Sequence, residues 1–114
     1  MRPNIDTKSK TALSLAVVGT IFIPSLQAHP QDAGAAFYKA KCAACHGADG
    51  KGETSMGKAN KLRDLGSADV QKQSDDELSA SITNGKSKMP AYGKSLKPDQ
   101  LKELVTYIRS LAKK

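Results

Sequence analysis

Apolar residues recur with a helical period in three places along the chain, and no stretch after residue 28 alternates in the manner of a strand. The strongest pattern lies near the C-terminus, where Leu101, Leu104, Val105, Ile108 and Leu111 form one continuous face. Pro98 suits the first helical position, and Arg109, Lys113 and Lys114 sit at the negative end of the dipole. Lys97 falls at the N-cap but offers no acceptor, so another group must satisfy the first amides. A second helix is predicted from Ser74. Ser74 and Glu77 form a capping-box pattern, Leu78 and Ile82 supply the buried stripe, and Asn84-Gly85 ends it. A third runs from about Ala33 to Ala44, with Asp32 as N-cap and Ala33, Ala36, Phe37, Ala40 and Ala44 on one face. Gly34 interrupts it at a cost of roughly 1 kcal/mol against alanine. Close approach of another helix is the compensation such a position predicts. The segment Gly47 to Gln73 carries five glycines and reads as loop, with short helical turns expected over Lys58–Leu65 and Ser67–Lys72. The fold class is all-α.

The N-terminal hydrophobic run belongs to a different pattern. Arg2, Lys8 and Lys10, diluted by Asp6, precede the apolar stretch Ala12 to Ile23. Pro24 and Ser25 break it, and Leu26-Gln-Ala28 offers a cleavage site. This is the layout of an export signal. The run falls short of the roughly 20 residues of a membrane span, so an uncleaved anchor is the lesser reading. There is no Arg-Arg pair, which favours ordinary Sec export to a bacterial periplasm. Residues 1–28 are therefore expected to be removed, leaving 29–114 as one domain.

Charge and composition sharpen this picture. The chain of 114 residues has a formal net charge of +7. Removing Arg2, Lys8, Lys10 and Asp6 with the first 28 residues leaves 86 residues at +5. A domain of that size is marginal unaided. Apolar content of 39% and the lack of tryptophan make a side-chain core thin, so a buried cofactor would help fill it.

The candidate chemistry is concentrated in Cys42-Ala-Ala-Cys45-His46. Exported thiols do not stay free, so both cysteines must be bridged, metal-bound or capped. Cys-x-x-Cys-His is the attachment pattern of haem c. Two thiols three positions apart can reach the two vinyl groups on one porphyrin edge, and the adjoining imidazole can meet the iron. A thioredoxin-like dithiol would want a strand before the motif, whereas a helix precedes it. A structural zinc needs four protein ligands, and His29 is the only other histidine. A plain disulfide does not require His46. For a second iron ligand, Met89 lies 43 residues past His46 in the loop Gly85 to Gly93. Pro90 biases it towards extended backbone. Met56, 10 residues past His46 in a Gly-rich stretch, reads as a loop or pocket residue.

With these motifs in hand, the chain resembles the class I cytochromes c, especially the short bacterial and algal members and the related domains of haem–copper oxidases. The likeness spans most of residues 32–112. It is carried by Gly34-x-x-x-Tyr38-x-x-x-Cys42, Cys42-Ala-Ala-Cys45-His46, His46-Gly-Ala-Asp-Gly-Lys-Gly52, Met89-Pro-Ala-Tyr-Gly93 and Leu104-x-x-Tyr107-Ile-x-x-Leu111. The resemblance implies three main helices around one covalent haem, with the first and last crossing where Gly34 and Tyr38 meet Leu104 and Tyr107. Tyr38 and Tyr107 are then core residues. One departure stands out: the family's usual proline, whose carbonyl orients the ligand histidine, is missing between His46 and Met89. A carbonyl between Thr54 and Asn60 is the expected substitute. Leu62 and Leu65 are candidate pocket residues. Arg63 is a candidate partner for a haem propionate, against an ordinary solvated arginine beside Asp64.

The function expected is a monomeric periplasmic carrier of single electrons, not an enzyme, with His46 and Met89 as permanent axial ligands. The alternative is a haem sensor or small haem enzyme in which Met89 leaves the iron. A subunit tethered by an uncleaved segment is a third. Expected partners are redox donors and acceptors, such as a membrane oxidase or reductase with an acidic docking face. Lys86, Lys88 and Lys94 flank the Met89 loop, although any one of them can be merely solvated. Nucleic acid is excluded by export and the lack of a binding motif.

Overall fold

The computed structural model describes residues 15–27 and 29–113. The basic residues before the apolar run, the start of that run and Ala28 lie outside the described residues. Residues 15–27 have no regular secondary structure, and their apolar side chains are exposed, Phe22 to 90%. No helix among the described residues is long and apolar enough to cross a membrane.

Among the described residues six α-helices follow, namely α1 (Pro30–Lys41), α2 (Ala43–His46), α3 (Ser55–Ala59), α4 (Ala68–Gln71), α5 (Asp75–Asn84) and α6 (Pro98–Ser110). A 3₁₀ turn, Leu111–Lys113, continues α6. The described residues form no strand, only an isolated bridge between Lys86 and Met89. Three of the helices, α1, α5 and α6, are long, as the periodicity predicts.

The pattern places α6 correctly. Gln100 Oε1 accepts the N–H of the N-cap Lys97 at 3.0 Å, while no side chain at the cap accepts from the amides of the first turn. The capping box of α5 forms. Ser74 Oγ accepts from the Glu77 amide at 3.1 Å, and Glu77 Oε2 accepts from the Ser74 amide at 2.7 Å. Helix α1 differs from expectation at both ends. It begins at Pro30, and Asp32 is not its N-cap but accepts the His29 N–H at 3.2 Å from the third helical position. It stops at Lys41: Cys42 (φ −111°, ψ −36°) stays in the right-handed region and still donates to Tyr38 O, but the helix is stretched there and restarts as α2.

The turn expected over Lys58–Leu65 instead lies earlier, in α3. Thr54 Oγ1 caps it by accepting from the Gly57 amide at 2.9 Å. The helix ends in a Schellman arrangement: Lys61 donates to Lys58 O and Leu62 to Gly57 O, with Lys61 at φ 52°. A lysine in this left-handed position gives no warning in sequence that the helix has ended.

Crossing of α1 and α6 forms the core. Leu104 and Tyr38 are 0% and 1% exposed, and Val70, Leu78, Ile82, Val105, Ile108 and Leu111 are buried with them. Gly34 makes the crossing possible. A Cβ there would lie 2.6 Å from the Glu103 carbonyl carbon and closer still to its oxygen. Tyr38 packs on Tyr107 with ring centroids 5.0 Å apart. Arg109 does more than complement the helix dipole. It donates to Asp75 Oδ1 at 2.9 and 2.7 Å and to the carbonyls of Gln71 (2.7 Å) and Gln73 (2.6 Å). This fork ties the α4–α5 connection to α6.

The Tyr38 hydroxyl donates to Gly47 O at 2.7 Å, locking α1 to the turn after α2. Burial above all, with negative charge on Cys42, Tyr107 and Asp49 adding to it, raises its phenol well above the ordinary 10.0. The folded protein therefore holds this proton where the unfolded chain releases it. The stabilisation is fully present below pH 10.0 and is lost progressively above it. Urea midpoints of the wild type should fall more steeply across that range than those of Tyr38→Phe. The variant should be less stable at neutral pH, by about 1 kcal/mol for the lost hydrogen bond.

Candidate functional site

Two segments far apart in sequence converge on one cleft. The first is the end of α1 with α2. The break at Cys42 turns the chain so that Cys42 and Cys45 lie half-buried and His46 ends α2. Gly47 (φ 82°) then reverses direction. The backbone around His46 is held on both sides: Gly52 N–H donates to His46 O at 2.7 Å, and Thr54 Oγ1 donates to Cys45 O at 2.6 Å. Gly57 packs so closely here that a Cβ would lie 2.7 Å from Cys45 O.

The His46 imidazole is buried deeply enough that its pKa is lowered by desolvation, which keeps it neutral and able to bind a metal. Its Nδ1 is buried and has no hydrogen-bond partner. The segment Thr54–Asn60 meets the carbonyl of Cys45 through Thr54 and Gly57, but none of its carbonyls accepts from the His46 Nδ1. Burial first, then the neighbouring Cys45, pushes the Cys42 thiol up to about 11. This is the reverse of the depressed value of a dithiol redox catalyst.

The second segment is the loop after α5. A Cβ on Gly85 (φ 73°) would lie 2.6 Å from Met89 O, so the loop folds tightly against its own start. Lys86 and Met89 exchange backbone hydrogen bonds of 3.2 and 3.0 Å across a turn with Ser87 at φ 56°. Tyr92 N–H donates to Ile82 O at 2.9 Å, and Gly93 N–H to Thr83 O at 3.1 Å. Both bonds fasten the loop to the last turn of α5. The Tyr92 ring meets Phe37 edge-on at 6.0 Å, and its hydroxyl donates to Lys41 O at 3.2 Å. Burial, and then the thiols of Cys42 and Cys45, raise the Tyr92 phenol.

Between these segments lies a narrow cleft of about 80 Å³ whose wall is almost wholly apolar. Cys42, His46 and Met89 share its wall with Leu65, Leu78, Ile82, Leu104 and Ile108. Of the residues singled out in sequence, Cys45 adjoins this wall and Leu65 is part of it. Leu62 is half-buried with its backbone against Gly52, Arg63 is exposed, and neither lines the cleft. Met56 is 55% exposed on α3 and does not line it either. An apolar cleft with a neutral buried imidazole and a thioether on its wall, and thiols at its mouth, fits haem. Among the described residues, no three His, Cys, Asp or Glu side chains are grouped to hold a metal ion by themselves.

Residues 29–108 match the family described as cytochrome c oxidase, cbb3-type, subunit III. The chain belongs to this family and is a class I c-type cytochrome. The cytochrome is 33% identical over 109 residues to cytochrome c6 of Gloeothece citriformis, covering 93% of this chain and 94% of that one. It is 37% identical over 75 residues to cytochrome c6 of a Nostoc species, 66% and 65% of the two chains. It is also 35% identical over 79 residues to the cbb3-type cytochrome c oxidase subunit FixP of Azorhizobium caulinodans, 68% of this chain but only 26% of that subunit. The cytochrome carries a covalently attached haem c and is an electron carrier, not an enzyme. Its partners are redox proteins.

Sequence reasoning missed two supports of this site. The Tyr92 hydroxyl and the Thr54 side chain each bridge to backbone beside the Cys-x-x-Cys-His motif. The Thr54-x-x-Gly57 spacing was a usable N-cap signal. Nothing local marked the reach of Tyr92 to Lys41, which is 51 residues away.

Proposed function

We propose that Cys42 and Cys45 hold the haem by thioether bonds, that His46 and Met89 are its two axial ligands, and that the cytochrome shuttles single electrons in a bacterial periplasm after loss of residues 1–28. The observation that carries the reading is that His46 and Met89, 43 residues apart, wall the same apolar cleft. Haem supplies the Fe(II)/Fe(III) couple when bound. Leu65, Leu78, Ile82, Leu104 and Ile108 exclude water from it. The hydrogen-bonded segments around His46 and Met89 hold the ligands in place through the redox cycle, so little rearrangement accompanies each transfer. With both axial positions filled by protein, no site is left for a substrate. Cys42 and Cys45 are half-buried, so a haem held by them would keep one edge near the surface, where an electron could pass to a partner. Exposed Lys86, Lys88 and Lys94 beside the Met89 loop suit an acidic docking face.

The apolar side chains in the described part of the N-terminal run are exposed, and this is the segment we take to be removed on export. N-terminal sequencing of the periplasmic protein tests that point: a chain starting near His29 is expected, and one starting at Met1 contradicts it. The ligand assignment is tested by the sulfur-to-ferric-iron charge-transfer absorption. It should be present in the wild type and unchanged in Met56→Ala. Its absence from the wild type contradicts the His/Met reading.

A further inference from the structure

Lys41 is the last residue of α1, so its carbonyl belongs to the final turn, where the helix itself provides no partner. Tyr92 fills that role from the other side of the cleft, through the 3.2 Å hydrogen bond from its hydroxyl. Lys41 directly precedes Cys42, and Tyr92 lies three residues after Met89. The same residue is fixed at its backbone, where its N–H donates to Ile82 O and its own carbonyl accepts from Ser95 and Leu96. Its ring is seated against Phe37 of α1. Among the described residues, this is the one side-chain hydrogen bond between the Met89 loop and the α1 end that carries Cys42. The loop's remaining bonds run to α5, within the loop or to Ser95 and Leu96 just after it, and they can persist if it swings away from α1.

We propose that the Tyr92 hydroxyl is a latch that closes the Met89 loop onto the Cys42 end of α1, which makes Tyr92 a positioning residue for the sixth iron ligand. This rests on the His/Met ligation proposed above. A ligand that displaces Met89 must open the loop, and opening breaks the Tyr92–Lys41 bond. Removing the bond lowers the cost of opening by one exposed hydrogen bond and leaves the ring contact with Phe37 intact.

The test is imidazole binding to the ferric holoprotein, read as loss of the sulfur-to-iron charge-transfer absorption, in the wild type, Tyr92→Phe and Tyr92→Leu. Tyr92→Phe should bind imidazole about three- to fivefold more tightly than the wild type, the factor expected of one solvent-accessible hydrogen bond. Tyr92→Leu, lacking the ring contact as well, should bind it more tightly still. If the bond only stabilises the fold, it survives displacement of Met89. Imidazole affinity of Tyr92→Phe then stays at the wild-type value while the urea unfolding midpoint falls, and the latch is overturned. A wild type that lacks the absorption overturns the ligation reading itself, whereas a wild type that shows it, with unchanged affinity in Tyr92→Phe, overturns the latch alone.

Discussion

Met89→Ala will lose the sulfur-to-iron absorption, bind carbon monoxide in the ferrous state and show a lower reduction potential. Among the described residues the cleft wall offers no second thioether, since Met56 is 55% exposed on α3 and does not line it. The iron would be left with His46 and an open or water-filled position. Thioether ligation raises the potential by favouring Fe(II), so its loss should lower it. A fall on the order of 0.1–0.2 V is expected, a fraction of the roughly 0.8 V that axial ligands control. Spectroelectrochemical titration measures it. Met56→Ala should leave the potential and the absorption unchanged. The fold should survive Met89→Ala, because the loop's attachment to α5 runs through backbone groups of Tyr92 and Gly93.

Substitution of Gly34 should have the largest effect on stability. In an isolated helix, alanine would gain about 1 kcal/mol over glycine. Here the sign reverses. The Cβ would meet the carbonyl of Glu103, which is main chain and cannot rotate away. The helices must separate, and the 0% exposed Leu104 and the 1% exposed Tyr38 lose their packing. Gly34→Ala should therefore destabilise the holoprotein despite its helix propensity. Gly34→Val should cost about 3 kcal/mol or more, a large part of the roughly 5–15 kcal/mol of a small domain. Urea unfolding of the holoproteins reads both values. Equal or higher stability of Gly34→Ala would show that the crossing tolerates a side chain.

Gly34 also shows what was legible in the sequence. A glycine inside an otherwise good helix implied a close neighbour, and the neighbour is the Glu103–Leu104 backbone of α6. The apolar period of α6 and the capping box of α5 were readable for the same reason: each is a local pattern with a local cause. The pentapeptide at 42–46 announced its chemistry because the chemistry needs that spacing. The misplacements have physical causes too. Helix α1 starts at His29-Pro30 because Asp32 caps backward from its third position, a role that composition alone does not separate from that of N-cap. Helix α3 was set too late because its stop depends on Lys61 adopting φ 52°, a conformation that lysine does not advertise. The reach of Arg109 to Asp75 and of Tyr92 to Lys41 joins residues 34 and 51 apart, which no local pattern encodes. The missing proline pointed to a carbonyl between Thr54 and Asn60 as the support of His46, but its Nδ1 has no partner among the described residues. Where that support would come from was not readable.

The central claim is that protein side chains fill both axial positions throughout the redox cycle. Mixing the ferrous wild-type cytochrome with carbon monoxide at neutral pH tests it most directly. The account predicts no binding, with the spectrum of the reduced protein unchanged. Rapid, near-stoichiometric formation of a carbon monoxide adduct would contradict it and point instead to a haem whose methionine leaves to admit a ligand.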